Sequence, residues 1–488
     1  MESQDKKPNI IAIIRAIVLL VLAVVGLSYA FFSAFIKNGE TDPSIEGTGA
    51  NLSLVYTDGK SVITSSNIMP GWSATKTFTV TNNGEADTYY KLNISNITNE
   101  FVEGGLTFSI ASADGGTSVA EQAVGTTTRT ISPSITIAEG ATHTYTITAK
   151  YVNLHKDQTP DLGKSFSYTI GIEASQKPTF KDIILANNEV KTPITTPGAA
   201  VSTSSEALLA SAEDDYGTSY YFRGAVTNNY VEFANKCWRI VRIGGDNTAK
   251  LILHNDNISN ASNPCSSANN STTAAFVHYD GNIYKSEFNS NYNDNAYVGF
   301  MYGTPGSTTY EATHANTNKS TILTNLETWY NNNLKTYESV IDNNVFCNDK
   351  SLSSGSGYSA NATDYAARER LYTSKIPSLK CNGELSKITS KIGLITADEL
   401  AFAGYAVRGY ITTSYLKENA TGYSWWSLSP AGFYNKSLSY VFRVRSDNDA
   451  IDICNVNVDS SVRPVISLVS SITISGVSGT SEDPYVVK

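Results

Sequence analysis

Residues 10–36 form an almost wholly apolar run, and that run limits what the rest of the chain can be. Its one charge is Arg15. Residues 16–36 alone supply 21 uncharged positions, which as a helix span roughly 30 Å, the hydrocarbon core of a bilayer. Lys6 and Lys7 precede the run, and Glu40, Asp42 and Glu46 follow it. Basic residues before and acids after place the N-terminus in the cytoplasm and everything after Lys37 outside. Arg15 lies near the basic end, where its long stem lets the guanidinium reach the headgroups. The alternative is a signal peptide cleaved at the small-x-small site Ser28-Tyr29-Ala30. The run continues through Phe31, Phe32 and Phe35, which favours an uncleaved anchor over residues 1–37.

A chain of 488 residues exceeds one ordinary core, so at least two further domains are expected. A formal charge of −9 and a pI near 5.2 exclude a nucleic-acid partner, which needs a basic face. Charged residues make up only 17%, while Tyr, Asn, Ser, Thr and Gly abound, as suits exported domains of short strands and turns. Five Cys outside the cell allow two disulfides and one leftover thiol. Cys237 and Cys265 bracket a strand and an Asn-rich loop, and Cys347 and Cys381 bracket a turn-rich segment. Those two pairings leave Cys454 free; the other reading is five buried reduced thiols. Closing about 35 residues contributes roughly 3–4 kcal/mol in the chain-entropy model.

Residues 50–175 read as an all-β sandwich. Lys76-Thr77-Phe78-Thr79-Val80 alternates, and Tyr90-Lys91-Leu92-Asn93-Ile94 does so again. His143, Tyr145 and Ile147 share a face, as do Phe166, Tyr168, Ile170 and Ile172. Asn-Asn-Gly, Asp-Gly-Gly and Glu-Gly turns separate them. The stretch Met69-Pro70-Gly71-Trp72, then Lys76 to Gly84, resembles camelysin-like and biofilm-fibre sandwich domains, a likeness over about 130 residues. Residues 176–215, rich in Thr, Pro, Ser and Ala from 192 to 205, read as a solvated linker with a helical turn or two over residues 181–186.

Residues 216–470 read as an α+β domain, with 471–488 as a C-terminal tail. Tyr220-Tyr221-Phe222-Arg223-Gly224, Cys237-Trp238-Arg239-Ile240-Val241-Arg242-Ile243 and Lys250-Leu251-Ile252-Leu253-His254 look like strands. Leu323, Leu326, Trp329, Tyr330 and Leu334 fall at helical spacing. Ile392-Gly393-Leu394-Ile395-Thr396 reads as a short strand, and Thr396 with Glu399 makes a capping box for a helix over residues 397–403.

Six ordered motifs in this stretch carry a resemblance. Tyr220–Gly224 and Cys237–Arg242 are followed by Asn295-Ala296-Tyr297-Val298-Gly299-Phe300 and Phe346-Cys347-Asn348-Asp349. Ile392 to Glu399 comes next, then the pair Trp425-Trp426-Ser427-Leu428-Ser429-Pro430 with Val462-Arg463-Pro464-Val465-Ile466 beyond it. Together they resemble surface proteins of anaerobic Gram-positive-type bacteria, remotely similar to C-type-lectin-like and formylglycine-generating-enzyme-like folds. The resemblance implies display outside the cell and names no reaction. Formylglycine-generating enzymes use a Cys pair near the C-terminus, where only Cys454 stands here.

No catalytic set is present in the sequence: no Gly-x-Ser-x-Gly, no His-Glu-x-x-His and no phosphate-binding Gly-rich loop. His254, His278 and His314 are isolated. Asp447-Asn448-Asp449 with Asp452 offers oxygens to Ca²⁺, but reads better as a polar hairpin turn; no metal or cofactor is expected. Trp425 and Trp426 point to opposite faces on a strand, so one belongs in the core and the other is available to stack on a ligand, with packing of both the plainer reading. A turn at Pro430 would leave Phe433 and Tyr434 near the surface, beside Arg443, Arg445 and Asp447. The expected ligand-binding set is therefore Trp425 or Trp426 with Tyr434 and Arg445, facing a glycan or peptide. Arg463 is expected to pair with a buried carboxylate such as Asp398 or Glu399.

The function these readings imply is an adhesin-like surface protein, its sandwich a stalk and its distal domain a recognition module. A fibre or biofilm-matrix subunit and a glycan-acting enzyme are the alternatives. If residues 1–37 remain as an anchor, mass spectrometry of the membrane fraction recovers peptides N-terminal to Ala30. A mature terminus at Phe31 in most molecules contradicts the anchor.

Overall fold

The structure is a computed structural model describing residues 54–58, 68–175, 177–408, 413–472, 474–475 and 478–487. The expected anchor over residues 1–37 and the site at Ser28-Tyr29-Ala30 lie outside them. Among the described residues no helix is long and apolar enough to cross a membrane. The chain is mostly β and divides into two compact units, Met1–Pro178 and Thr179–Lys488.

The first unit is the sandwich. Its strands are β1 (Leu54–Asp58), β2 (Trp72–Asn82), β3 (Thr88–Asn99), β4 (Leu106–Ser112), β5 (Val119–Ala123), β6 (Arg129–Ile137), β7 (Thr142–Tyr151) and β8 (Phe166–Ser175). One sheet runs β1-β2-β7-β4-β5 and the other β6-β3-β8. The alternation read from the sequence is the packing pattern. Phe78, Val80, Tyr90, Leu92, Ile94, Tyr145 and Ile147 face one core, and the Thr residues between them face out. Phe78 stacks on Tyr145 at 4.8 Å, and the Tyr90 hydroxyl bonds Tyr145 at 2.6 Å and His143 Nδ1 at 2.8 Å. The inward tyrosines and His143 thus give one another hydrogen-bond partners. Leu54 pairs with Asn82 and Ser175 with Tyr89, at the same end of the sandwich. A stalk in series needs the chain to enter and leave at opposite ends, so the sandwich adds little length between its first and last strands.

The second unit begins earlier than the composition suggests. Helix α1 (Phe180–Asn187) starts at a Thr179–Asp182 capping box and buries Phe180 and Ile184. Strand β9 (Ala207–Asp214) pairs residue for residue with β10 (Gly217–Gly224). Within the expected linker 176–215, the described residues 177–215 are therefore no free linker. Arg223, wholly buried, holds it: Nε pairs with Glu206 at 2.6 Å, and Nη2 donates to Thr195 Oγ1 at 2.7 Å and to the Ala199 carbonyl at 3.1 Å. A Thr- and Pro-rich stretch reads as solvated unless a buried donor takes its oxygens, which Arg223 does.

Strands β11 (Tyr230–Phe233), β12 (Lys236–Ile243) and β13 (Ala249–Asn255) follow, then helices α2 (Thr321–Asn333) and α3 (Ala397–Phe402). Strands β14 (Trp425–Tyr434), β15 (Leu438–Val444), β16 (Ile451–Asn455), β17 (Val465–Leu468) and β18 (Tyr485–Val487) complete the described set needed here. One sheet contains the path β17-β13-β12-β11-β18, with β10 attached to β12; another is built on β14, β15 and β16. α2 buries Leu323, Leu326, Trp329 and Tyr330, as its spacing implies. The segment 392–396 makes one bridge, Gly393 to Val465, rather than a strand. The described part of residues 471–488 is not a loose tail: Tyr485 pairs parallel with Val231, is buried, and packs edge-on against Phe180 at 5.4 Å. Both disulfides are formed, Cys237–Cys265 and Cys347–Cys381, with Cα separations of 4.9 and 5.5 Å. Cys454 is buried and unpaired.

The first and last elements of this unit thus complete one core. A fragment spanning 179–488 should melt as one cooperative transition by circular dichroism. One starting at 216 leaves Arg223 buried without Glu206, a loss of about 3–5 kcal/mol, and should show no such transition. Equal melting of both fragments contradicts the boundary.

Candidate functional site

β12 and β13 place Arg242 directly opposite Lys250 in antiparallel register. Two cations so placed repel. The carboxylate of Glu399, from the first turn of α3, resolves this: Oε1 accepts from Lys250 Nζ at 2.7 Å and from Arg242 Nε at 3.0 Å. Its other oxygen accepts from the Thr396 amide at 3.0 Å, and Thr396 Oγ1 in turn accepts from the Glu399 amide. The capping box legible in the sequence is therefore also the bridge between two strands. Burial alone would raise the Glu399 pKa, but the charges of Lys250 and Arg242 and the bonds it accepts hold it at about 2. Burial lowers the pKa of Lys250, and Glu399 only partly offsets this.

Further ion pairs extend the row. Asp214 Oδ2 accepts from Arg242 Nη1 at 2.8 Å. Arg370 grips Asp398 with Nε and Nη2, both at 2.9 Å, and Asp349 with Nη1 at 2.7 Å. Above them runs the segment carrying Cys381, pinned by the disulfide to Cys347, by the Ser378 amide on Asp398 at 2.9 Å and by the Cys381 amide on Asp215. Two adjoining hollows open here, of about 450 and 380 Å³ including open solvent. Arg242, Lys250, Val345, Cys347 and Leu379 line both, and exposed Lys380 stands at the second. Among the described residues Arg242 Nη2 has no hydrogen-bond partner, and Lys250 Nζ makes one bond of the three it can make. The cleft therefore presents unused N–H donors beneath a covalently fixed rim.

Its chemistry suits recognition better than proton transfer. Asp398, Glu399 and Asp349 line one hollow, but each is engaged by a cation. A carboxylate held at about 2 neither donates nor takes a proton near neutrality.

The residues expected to bind ligand lie elsewhere. Trp425 and Trp426 are both fully buried, because β14 is covered on both faces. Trp426 packs against Phe288 at 5.8 Å and donates its indole N–H to the Ser286 carbonyl at 2.7 Å. Trp425 lies under the guanidinium of Arg463 at 5.1 Å. Neither indole is open to a ligand. Pro430 makes no turn: β14 runs through it with register shifts on either side, and Phe433 is buried. Pro lacks the ladder donor, so a strand accommodates it at such an irregularity.

Tyr434 and Arg445 do share one surface. Tyr434 donates to Asp364 at 2.7 Å, and Arg368 lies over both its ring and that of Tyr372, at 5.4 and 5.6 Å. Tyr372 and Arg445 both donate to Asp452, at 2.8 and 3.1 Å. Asp447 to Asp449 form the hairpin turn between β15 and β16, and Arg445 clamps Asp447 at 2.9 Å. Among the described residues no group of His, Cys, Asp and Glu is placed to hold a metal. Arg463 meets neither Asp398 nor Glu399, since those acids are engaged by Arg370 and by Arg242 with Lys250. The cleft cations were missed in the sequence because Arg242 and Lys250 sit in apolar strands that read as core. The signal present was the pairing of two such strands, each with one charge, with an acidic capping box. Compared with known proteins, the chain matches no family model and no curated sequence.

The folded pKa of Glu399 lies below its ordinary value of 4.5. Its contribution is thus fully present above pH 4.5 and lost as the pH falls towards 2. Glu399→Gln leaves Lys250 and Arg242 buried without their bridge and should cost about 3–5 kcal/mol at pH 7. Chemical denaturation should show that gap closing as the pH falls from 4.5 towards 2. A gap that is absent, or constant over this range, contradicts the bridge.

Proposed function

We propose that this chain is a membrane-anchored, extracytoplasmic surface protein whose second unit is a recognition domain of C-type-lectin-like kind. The ligand, a charged glycan or peptide, sits in the cleft beside Cys347–Cys381. The observation that carries the reading is an open, charge-lined hollow with unused donors on Arg242 and Lys250 under a disulfide-fixed rim. Sugars and peptides present the carboxylates and hydroxyls such donors take. Two disulfides fit an oxidising compartment, and the apolar run at residues 10–36 fits an anchor with its bulk outside.

A second reading, a fibre or matrix subunit, has its own support. β8 pairs with β3 through nine of its ten residues and with no other strand among the described residues, the Tyr56 hydroxyl alone reaching its Ile170 carbonyl from β1, so no strand covers its other edge. Such an edge is a template for another strand. The enzyme reading has less support, since the carboxylates in the cleft are engaged by cations.

The full-length chain in neutral detergent, tested on a glycan, cell-wall and peptide array, should bind a charged ligand. Lys380→Glu should weaken that binding at least tenfold with the melting temperature little changed. The double change Tyr434→Ala with Arg445→Ala should leave it intact. The opposite pattern moves the site to the Tyr434 surface. No binding, with fibres in electron micrographs, favours the matrix subunit.

A further inference from the structure

Arg463 is wholly buried, and among the described residues no carboxylate lies within ion-pairing distance of it. Nε donates to the Leu253 carbonyl at 2.8 Å and Nη1 to the Leu416 carbonyl at 2.6 Å, but Nη2 has no partner. Burial pushes its pKa down to about 10, partly offset by Tyr405 and Tyr415. The guanidinium therefore stays charged at neutral pH.

Its neighbours carry the same deficit. Tyr415 directly precedes Leu416, whose carbonyl Arg463 holds, and the buried Tyr405 and Tyr415 both have hydroxyls without a hydrogen-bond partner. The Trp425 indole N–H, on the ring beneath Arg463, has none either. His254 directly follows Leu253, whose carbonyl Arg463 also holds. Asn419 Nδ2 donates to its Nε2 at 3.2 Å, which puts the proton on Nδ1, and that atom is again unpartnered. A second buried guanidinium, Arg239, adds another positive charge and is paired only with Glu418, at 2.8 Å. Asp449 and Glu399 also act on these tyrosines, but Lys417 and the Arg242–Lys250 pair engage them, so Arg463 and Arg239 share only Glu418.

A buried polar group left unpaired is costly, and an unpaired charge costs more. Native interiors seldom keep several together. The unpartnered N–H groups of Arg463, Trp425 and His254 can only donate, and the two hydroxyls can donate as well. A water molecule can give its hydrogens to the two tyrosine oxygens, but it brings no charge to offset the guanidinium. A monovalent anion accepts from every side and cancels the excess. We propose that this interior site holds a small monovalent anion of the halide class, bound by Arg463 Nη2 and the hydroxyls of Tyr405 and Tyr415.

The test is the melting temperature of the full-length chain in neutral detergent, titrated with sodium bromide or chloride against sodium gluconate at constant ionic strength. The melting temperature should rise with each tenfold increase in halide and stay flat in gluconate, because a ligand bound only by the folded state stabilises it by mass action. Tyr405→Phe with Tyr415→Phe keeps the rings and removes both hydroxyls, so the halide-dependent rise should largely vanish. If that variant does not fold, Trp425→Phe and bromide anomalous scattering from crystals of the unaltered chain decide instead. An anomalous peak in contact with Arg463 Nη2, or a smaller halide response in Trp425→Phe, supports the site. A flat halide series, an undiminished response in the variants, or water with no bromide signal beside Arg463 overturns it.

Discussion

One carboxylate organises the second unit. Glu399 caps the helix it belongs to and bridges the cations of two adjacent strands, so that α3, β12 and β13 are fixed by a single buried group. Without it, the direct opposition of Arg242 and Lys250 would force the strands apart or draw water between them. With it, both cations can stand nearly buried and still keep N–H groups free for a ligand. Arg223 does the same at the start of the unit, where its contacts with Glu206, Thr195 and the carbonyls of Thr196 and Ala199 hold a segment whose composition alone would leave it in solvent, and Nη1 ties it to the Ala401 and Phe402 carbonyls.

Local periodicity was legible where one side of an element meets water. The sandwich strands alternate because one face is core and the other is wet, and α2 shows its stripe for the same reason. The disulfides could be read because each pair brackets one loop-rich segment. What stayed hidden was set by distant partners. Nothing near residues 192–205 announces that Arg223 will take their oxygens. Nothing near Tyr485 announces Val231. For the Trp pair the plainer reading, packing of both, is what the structure shows; the stacking alternative fails because alternation leaves one residue exposed only when a face is exposed, and β14 has none. Arg463 misled because acids at Asp398 and Glu399 looked available, whereas each had a nearer cation.

Function follows the same division. The residues that stand out in the sequence, Trp425, Trp426 and Arg463, are interior and shape the fold. Tyr434 and Arg445 do reach one surface, but their polar groups are engaged with Asp364, Asp452 and Asp447. The cleft differs in keeping donors unused while its rim is fixed by a disulfide, the preorganised arrangement that favours binding because little order must be gained on contact.

Hydrogen exchange of the full-length chain, with and without solubilised cell-wall fragments, tests the central claim that the cleft is the recognition site. Exchange should slow at backbone amides of residues 376–381 and 396–399 when the fragments are present, with residues 434–447 unchanged. Protection confined to 434–447, with none along the Cys381 segment, would contradict it.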